Sequence, residues 1–426
     1  MKHYLKPIHI PFLFLTAFLL LLPCYPSNAA TYYYNVKDFG ADGKDKKSDS
    51  AAIQAALDMA SKNTKLSKDN LTVVKIPNGT YYITKALFIQ SNTKLQLSKK
   101  AVIKRSDSSL GKNMLRTTNA SHDSGKAGGY NLAKNITITG GTFDGGNIKK
   151  SKSACNLIYI GHSSNIVIQN TTIKNCYGAH AIELAGVKGA VIRNCKITGF
   201  RYEDDYFTSE AIQIDTCYTS KKDGAWAPGF KADKTACKNI RIEKNTIIDY
   251  PRGIGVHHKL KGHLNSNITI KNNRFKRSSP STQGKSVVGI FLLGVNKATI
   301  SGNTFDHYSY GAMIKQSQKV TIKKNNFKYN SLSSLNIEGC DKNNGRHTFL
   351  VTSDKNGKKT LEFSCGMIKS GTVTTAGTSY TFHSSNGKVS LGLSKKIKAN
   401  QLINFYGKDK YSNKYYRKYY VPKHTN

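Results

Sequence analysis

The sequence predicts an all-β chain wound as a parallel β-helix, with a capping helix at its N-terminal end and a small antiparallel β module at its C-terminal end. Two observations carry this expectation. The first is a six-residue unit, apolar at both ends, that recurs as ITGGTF (138–143), IQNTTI (168–173), IRNCKI (192–197), IEKNTI (242–247), IKNNRF (270–275), ISGNTF (300–305) and IKKNNF (322–327). Its starts lie 30, 24, 50, 28, 30 and 22 residues apart, the long interval holding an insertion between Cys217 and Cys237. The second is a companion strand in each unit, NLIYIG, HAIELAG, EAIQID, RGIGVHH, VGIFLLG, YGAMIK and SLNIEG. Apolar residues at period two, separated by Gly- and Asn-rich turns, describe short strands. Repetition at about 30 residues stacks each coil on the next. Asn245, Asn273, Asn303 and Asn325 share one place in four units and are expected to form a hydrogen-bonded ladder inside a turn. A propeller would need antiparallel blades of longer period.

Taken in chain order, Lys2 and Lys6 precede an apolar run from Ile10 to Leu22 and then Ser27-Asn28-Ala29, which reads as a secretory signal over 1–29. The run is too short for a transmembrane anchor, and no second apolar span follows, so the mature chain is expected to be secreted, without integral membrane contact. The stretch YYNVKDFGADGKDKKSDSAAIQAALDMA then reads as strand, Gly-rich loop and a helix from about Ser48 to Ala60. Ser48 or Asp49 is placed to cap it, and Ile53, Ala56 and Leu57 share its apolar face. Such a helix would cover the open end of the stack. The β-helix domain is expected to run over 30–342. Beyond Gly345, alternating strands with Asn-Gly turns suggest a sandwich-like module over 345–426, the alternative being further strands of the main domain.

Lys and Arg total 65 against 25 acids, and losing Lys2 and Lys6 with the signal takes the formal charge from +40 to +38. That field suits a polyanionic partner, an acidic glycan above all. Nucleic acid is disfavoured because the basic residues are dispersed and the chain is exported. Seven cysteines follow the signal, so a monomer, the expected state, keeps at least one thiol. Cys217 and Cys237 bracket a polar insertion that a disulfide between them would close. No spacing of Cys or His suggests zinc, and no metal ligands are assigned.

Strand parity locates a candidate site. With Ile212 and Ile214 inward, Gln213 and Asp215 face outward, and the same parity exposes Glu183 one coil earlier and His257 one coil later. His180, Glu210 and Arg252 share the entrance of three consecutive strands. Glu183 and Asp215 lie one rung and two residues apart, roughly 8 Å, a spacing that suits the acid and base of an inverting glycosidase. The loop before Glu210 supplies Asp204, Asp205 and Tyr206, and the insertion supplies Trp226. With Gln213, Tyr159, His258 and Lys315, these are the expected substrate contacts.

The segment FGADGKDKKSDSAAIQAAL, leading into such coils, resembles the start of the pectate-lyase/polygalacturonase superfamily of right-handed β-helices, over roughly residues 31–340. The resemblance implies a right-handed, three-faced helix with its cleft along one parallel sheet. Polygalacturonases carry three acids and a histidine near the strand-entrance position. In this register the first acid is His180, the acid pair is Ser209-Glu210 and the histidine is Arg252. Phe291 and Leu293 stand in the Arg-x-Lys positions, with Lys315 one coil later. Only Glu210 keeps a family acid. The expected function is therefore hydrolysis of an acidic, uronate-containing polysaccharide by Glu183, Glu210 and Asp215, oriented by His180 or His257, with no cofactor. The alternatives are β-elimination or C5 epimerisation, in which Arg252 or Lys315 neutralises the uronate, His257 or His180 takes the C5 proton and Ca²⁺ assists. A non-catalytic glycan-binding β-helix is the further alternative.

Overall fold

A computed structural model describes residues 29–106, 113–119, 121–122, 127–148, 154–201, 209–220, 224–225, 230–278, 287–341, 344–353 and 357–422. The expected signal lies outside these residues except for Ala29. The chain winds into three sheets of ten, twelve and thirteen described strands. Strands within the coils pair in parallel, one coil to the next; Glu210–Asp215, for example, lies between Ile182–Ala185 and Arg252–Val256. This is the parallel β-helix that the repeat predicts.

The inward residues explain why the stack holds. Ile158, Ile182, Ile212, Ile254 and Ile290 stand opposite one another and are fully buried. Burying each is worth about 1.5–3 kcal/mol relative to exposure. In the thirteen-stranded sheet, Phe275, Phe305, Phe327 and Tyr415 stack face to face at 4.9, 4.9 and 5.2 Å between ring centroids. The asparagine ladder forms as expected and continues past Asn325 to Asn413. Asn303 Nδ2 donates to Ile270 O at 2.9 Å and Asn325 Oδ1 at 3.0 Å, while Asn303 Oδ1 accepts from Asn273 N and Nδ2. An Asn303→Leu change would leave buried donors on Asn273 unanswered, so urea unfolding is expected to show a loss of about 2–3 kcal/mol. An unchanged midpoint would remove the ladder from the list of stabilising devices.

The capping helix spans Ser50–Leu66, one turn and a half beyond the expected end. Asp49 holds the N-cap position but makes no side-chain cap; its Oδ1 instead accepts from Asp42 N at 2.9 Å and ties down the Gly-rich loop. Ile53, Ala56 and Leu57 are buried in one continuous core with Val36, Val74 and Ile89, so the helix closes the stack as expected. At the other end, residues 345–353 and 357–422 add strands directly to the last coil. Gly345–Ser353 pairs antiparallel with Ser333–Glu338, and Lys414–Tyr420 pairs parallel with Asn326–Lys328, extending two of the three sheets. Their apolar side chains join the core of the coils.

The expected disulfide is absent, since Cys217 and Cys237 are both buried thiols. Cys237 Sγ is satisfied where it stands, donating to Asp215 O at 3.3 Å and accepting from Val187 N at 3.2 Å. Burial pushes its thiol up to about 12, which disfavours the thiolate needed for oxidation. Backbone bonds close the insertion in its place, with Cys217 N donating to Thr235 O at 2.9 Å and Lys234 N to Cys217 O.

Candidate active site

The outward face of the twelve-stranded sheet carries one continuous row through the coils: Arg116, Tyr159, Glu183, Gln213, Gly255, Phe291 and Met313 stand in successive register. Glu210 joins this row although it begins its strand. A Cβ on Gly255 would sit 2.3 Å from Glu210 Cγ, so the glutamate lies across Gly255 in space that only glycine leaves open. The backbone at Gly255 is not left-handed, so clearance alone selects glycine there.

Three basic side chains surround Glu210, which has no exposed surface. Arg252 Nη1 and His257 Nδ1 approach Oε1 at 3.1 and 3.2 Å, and His180 Nδ1 approaches Oε2 at 3.4 Å. Arg252 also lies over the Phe291 ring at 4.7 Å. Burial works against the charge, but the hydrogen bond and charge of His257, with His180 and Arg252 beside it, outweigh it and hold Glu210 below its ordinary range. His257 is drawn up in return: burial opposes its charge, and Glu210 and Asp215 more than restore it. His180, whose burial dominates, is pushed down to about 4 and stays neutral.

Glu183 has the opposite environment. Burial and the nearby Asp215 carboxylate drive its pKa well up, against the Asn156 Nδ2 donor bonded to its Oε2. Gln213 stands in register between Glu183 and Gly255, donating from Nε2 to Asp215 Oδ2 at 2.6 Å, while its buried Oε1 has no hydrogen-bond partner among the described residues. Buried carboxyls pushed in opposite directions on one surface are the environment in which one acts as acid and the other as base.

The structure thus brings together Glu183, Glu210, Gln213, Asp215, His180, His257 and Arg252, all expected from the sequence. Other expectations need correction. Tyr159 is no open sugar platform: it is buried beneath Phe230, 4.6 Å away, with Arg116 stacked over both rings. Lys315 pairs with Glu338 at 2.9 Å, three coils from Glu210, and Arg252 is already committed to Glu210, so neither cation is held for a uronate alone. His258 Nδ1 lies 2.5 Å from Tyr218 Oη and belongs to the rim. Asp204, Asp205, Tyr206 and Trp226 lie outside the described residues. Among the described residues no three His, Cys, Asp or Glu side chains converge as a metal site.

Sequence reasoning missed three contributors. Asn156 orients Glu183 and accepts from His180 N at 3.0 Å; NLIYIG aligned with HAIEL places it at the same strand entrance as His180, so the signal was present. Gly255 lay in the quoted RGIGV, but its role depends on which way Glu210 turns. Phe230 sits within an insertion whose path no periodicity describes.

Comparison with known proteins agrees with this fold. A family described as "Rhamnogalacturonase A/epimerase, pectate lyase-like" matches residues 33–222, and one described as "Periplasmic copper-binding protein (NosD)" matches 180–347. Together with the fold, these matches indicate the right-handed β-helix superfamily. The chain is 28% identical over 322 residues to the plasmin and fibronectin-binding protein A of Streptococcus pneumoniae, across 71% of this chain and 43% of that protein. It is 26% identical over 190 residues to the iota-carrageenase of Alteromonas macleodii, across 45% of this chain and 30% of that protein. The chain thus spans less than half the length of either curated relative. The crystal structure of PfbA, described as a surface adhesin of Streptococcus pneumoniae, shares the fold with a TM-score of 0.57 at 23% identity, covering 72% of this chain and 77% of that one. No helix among the described residues is long and apolar enough to cross a membrane.

Proposed function

We propose that this β-helix is a secreted enzyme that hydrolyses glycosidic bonds in an acidic polysaccharide. The observation that carries the reading is the pair of glutamates with opposed pKa shifts, Glu183 and Glu210, set on either side of Gln213 along one row. Their strands are adjacent, but the Glu210 carboxylate lies over Gly255, two rungs from Glu183 or about 9–10 Å, close to the upper end of the spacing used by inverting enzymes. Glu183, protonated, gives its proton to the leaving glycosidic oxygen. Glu210, ionised, takes a proton from the attacking water. Gln213 Oε1 is placed to receive a hydrogen bond from a sugar hydroxyl. His257 and Arg252 keep Glu210 charged. The signal at 1–29 and the surface adhesin among the relatives support export, and the high positive charge supports an anionic substrate. Hydrolysis in this form needs no cofactor, and the commitment of Arg252 and Lys315 to acids makes elimination the weaker alternative.

Cleavage is expected to follow a bell in pH. On the acid side it falls as Glu210 gains its proton, below the ordinary carboxylate range; on the alkaline side it falls as Glu183 loses its proton, above that range. A rate rising monotonically through neutrality would reverse these assignments.

A second reading, glycan binding without cleavage, is favoured by the complete burial of Glu210 and by the binding function in the name of the pneumococcal relative. Incubating the mature protein with a panel of uronate-containing and sulfated glycans separates the cases. New reducing ends without the ultraviolet absorbance of an unsaturated uronate support hydrolysis. That absorbance indicates a lyase, and retention on immobilised glycan with no product indicates a binder.

A further inference from the structure

The β-helix ends unevenly. Two sheets continue past the last full coil through the C-terminal strands, but the ten-stranded sheet stops at Gln318–Lys323, which among the described residues has a strand partner on one side only. The residues facing the interior register the missing rung. Val320 is half-buried, whereas its counterparts Ala298, Ile268 and Ile240 are 2%, 1% and 0% exposed. Beneath the edge opens a cavity of about 280 Å³ lined by Ile314, Val320, Ile322, Leu335, Ile337 and Cys340. Met367 and Tyr411, 42% and 40% exposed, frame its mouth. The edge is closed at its two ends, where Lys319 N donates to Asp341 Oδ2 at 3.0 Å and Lys324 N donates to Tyr411 O at 3.1 Å.

An unpaired strand beside an apolar slot fits one kind of occupant. A sugar would not satisfy the slot, whereas an added strand satisfies edge and slot together, with backbone bonds to the edge and alternate side chains in the cavity. Charge sets the flanks. Lys369 and Lys410 line the cavity, and Lys319 and Lys323 are exposed on the strand itself. The nearby acids are engaged elsewhere: Asp341 on Lys319 N, Glu338 with Lys315, and Asp409 with Asn413 and Tyr415. Edge lysines also discourage indiscriminate pairing, which selects for a segment that brings acids to them. We propose that this edge docks an extended peptide of a partner protein, apolar at alternate positions and acidic at its ends, as the missing strand of the ten-stranded sheet.

Cys340 provides the readout, being half-buried at the slot while the other cysteines among the described residues are buried. The probe is the heptapeptide acetyl-Glu-Val-Thr-Val-Thr-Val-Glu-amide, alongside a version with Lys in place of both Glu. Fluorescence anisotropy of a labelled copy reports binding, and mass spectrometry follows alkylation of Cys340 by N-ethylmaleimide. At ten times the half-saturating concentration, the acidic peptide is expected to slow alkylation about tenfold by mass action. The Lys-ended peptide is expected to protect poorly. The surface double variant Lys369→Glu/Lys410→Glu is expected to weaken the acidic peptide roughly tenfold. Failure of the acidic peptide to change either signal, or equal binding of both peptides, would overturn the proposal. Protection that appears on raising the protein's own concentration would make a second copy the occupant and overturn the partner assignment.

Discussion

Replacing Glu183 with glutamine is expected to lower polysaccharide cleavage by roughly 10²–10⁴-fold, the usual cost of losing a positioned general acid. The change keeps the shape of the side chain and its contact with Asn156, so the coil has no reason to shift. Linkage provides a second readout, of the protonation state on which the assignment depends. Burial raises the folded-state pKa of Glu183 above its unfolded value. Its contribution to stability is therefore fully present below the unfolded pKa and is lost as pH rises through the folded one. Glutamine carries no proton to lose. The E183Q protein is thus expected to overtake the native chain in thermal stability as pH is raised, while its activity stays low. Undiminished cleavage would end the assignment of Glu183 as the acid. Loss of activity accompanied by unfolding at every pH would make its role structural.

How much of this was legible beforehand depended on whether a residue's role is local or set by a neighbouring coil. Ile212 and Ile214 alternate with polar residues inside one strand, so their inward direction and the outward direction of Gln213 and Asp215 followed from parity. The asparagine ladder was legible because Asn245, Asn273, Asn303 and Asn325 repeat with the coil, and repetition encodes stacking. Its last member, Asn413, comes from a strand outside the repeat and had no such signal. Glu210 shows the other limit. By parity it shares the face of Ile212, which is inward, yet its carboxylate lies outside. The choice is made by an entrance turn and by Gly255 forty-five residues later, along with His257 and Arg252. The expected Cys217–Cys237 bond failed for a similar reason. Proximity in sequence suggested closure, but the thiol of Cys237 already meets carbonyls of the adjacent coils.

Gly255 therefore carries the second large expectation. A Gly255→Ala protein should fold, since the backbone there is one that alanine adopts and the inward neighbours Ile254 and Val256 are untouched. The new methyl would, however, occupy the place of Glu210, whose Cγ would lie 2.3 Å from it. The carboxylate must move, giving up its 3.1 Å contact with Arg252 and its 3.2 Å contact with His257. Misplacing a catalytic group by about 1 Å costs on the order of 10²-fold, and cleavage is expected to fall at least that far. The pH profile should respond as well. Once parted from its cations, Glu210 loses what holds its pKa down, so the acid limb should move to higher pH. Combining Gly255→Ala with Glu210→Gln should cost little more than Glu210→Gln alone, because both changes remove the same group from the same place. Additive losses would mean that Gly255 acts independently of Glu210, through direct contact with the sugar. A fully active Gly255→Ala enzyme would place the catalytic base elsewhere on the row, with Asp215 as the remaining carboxylate in position.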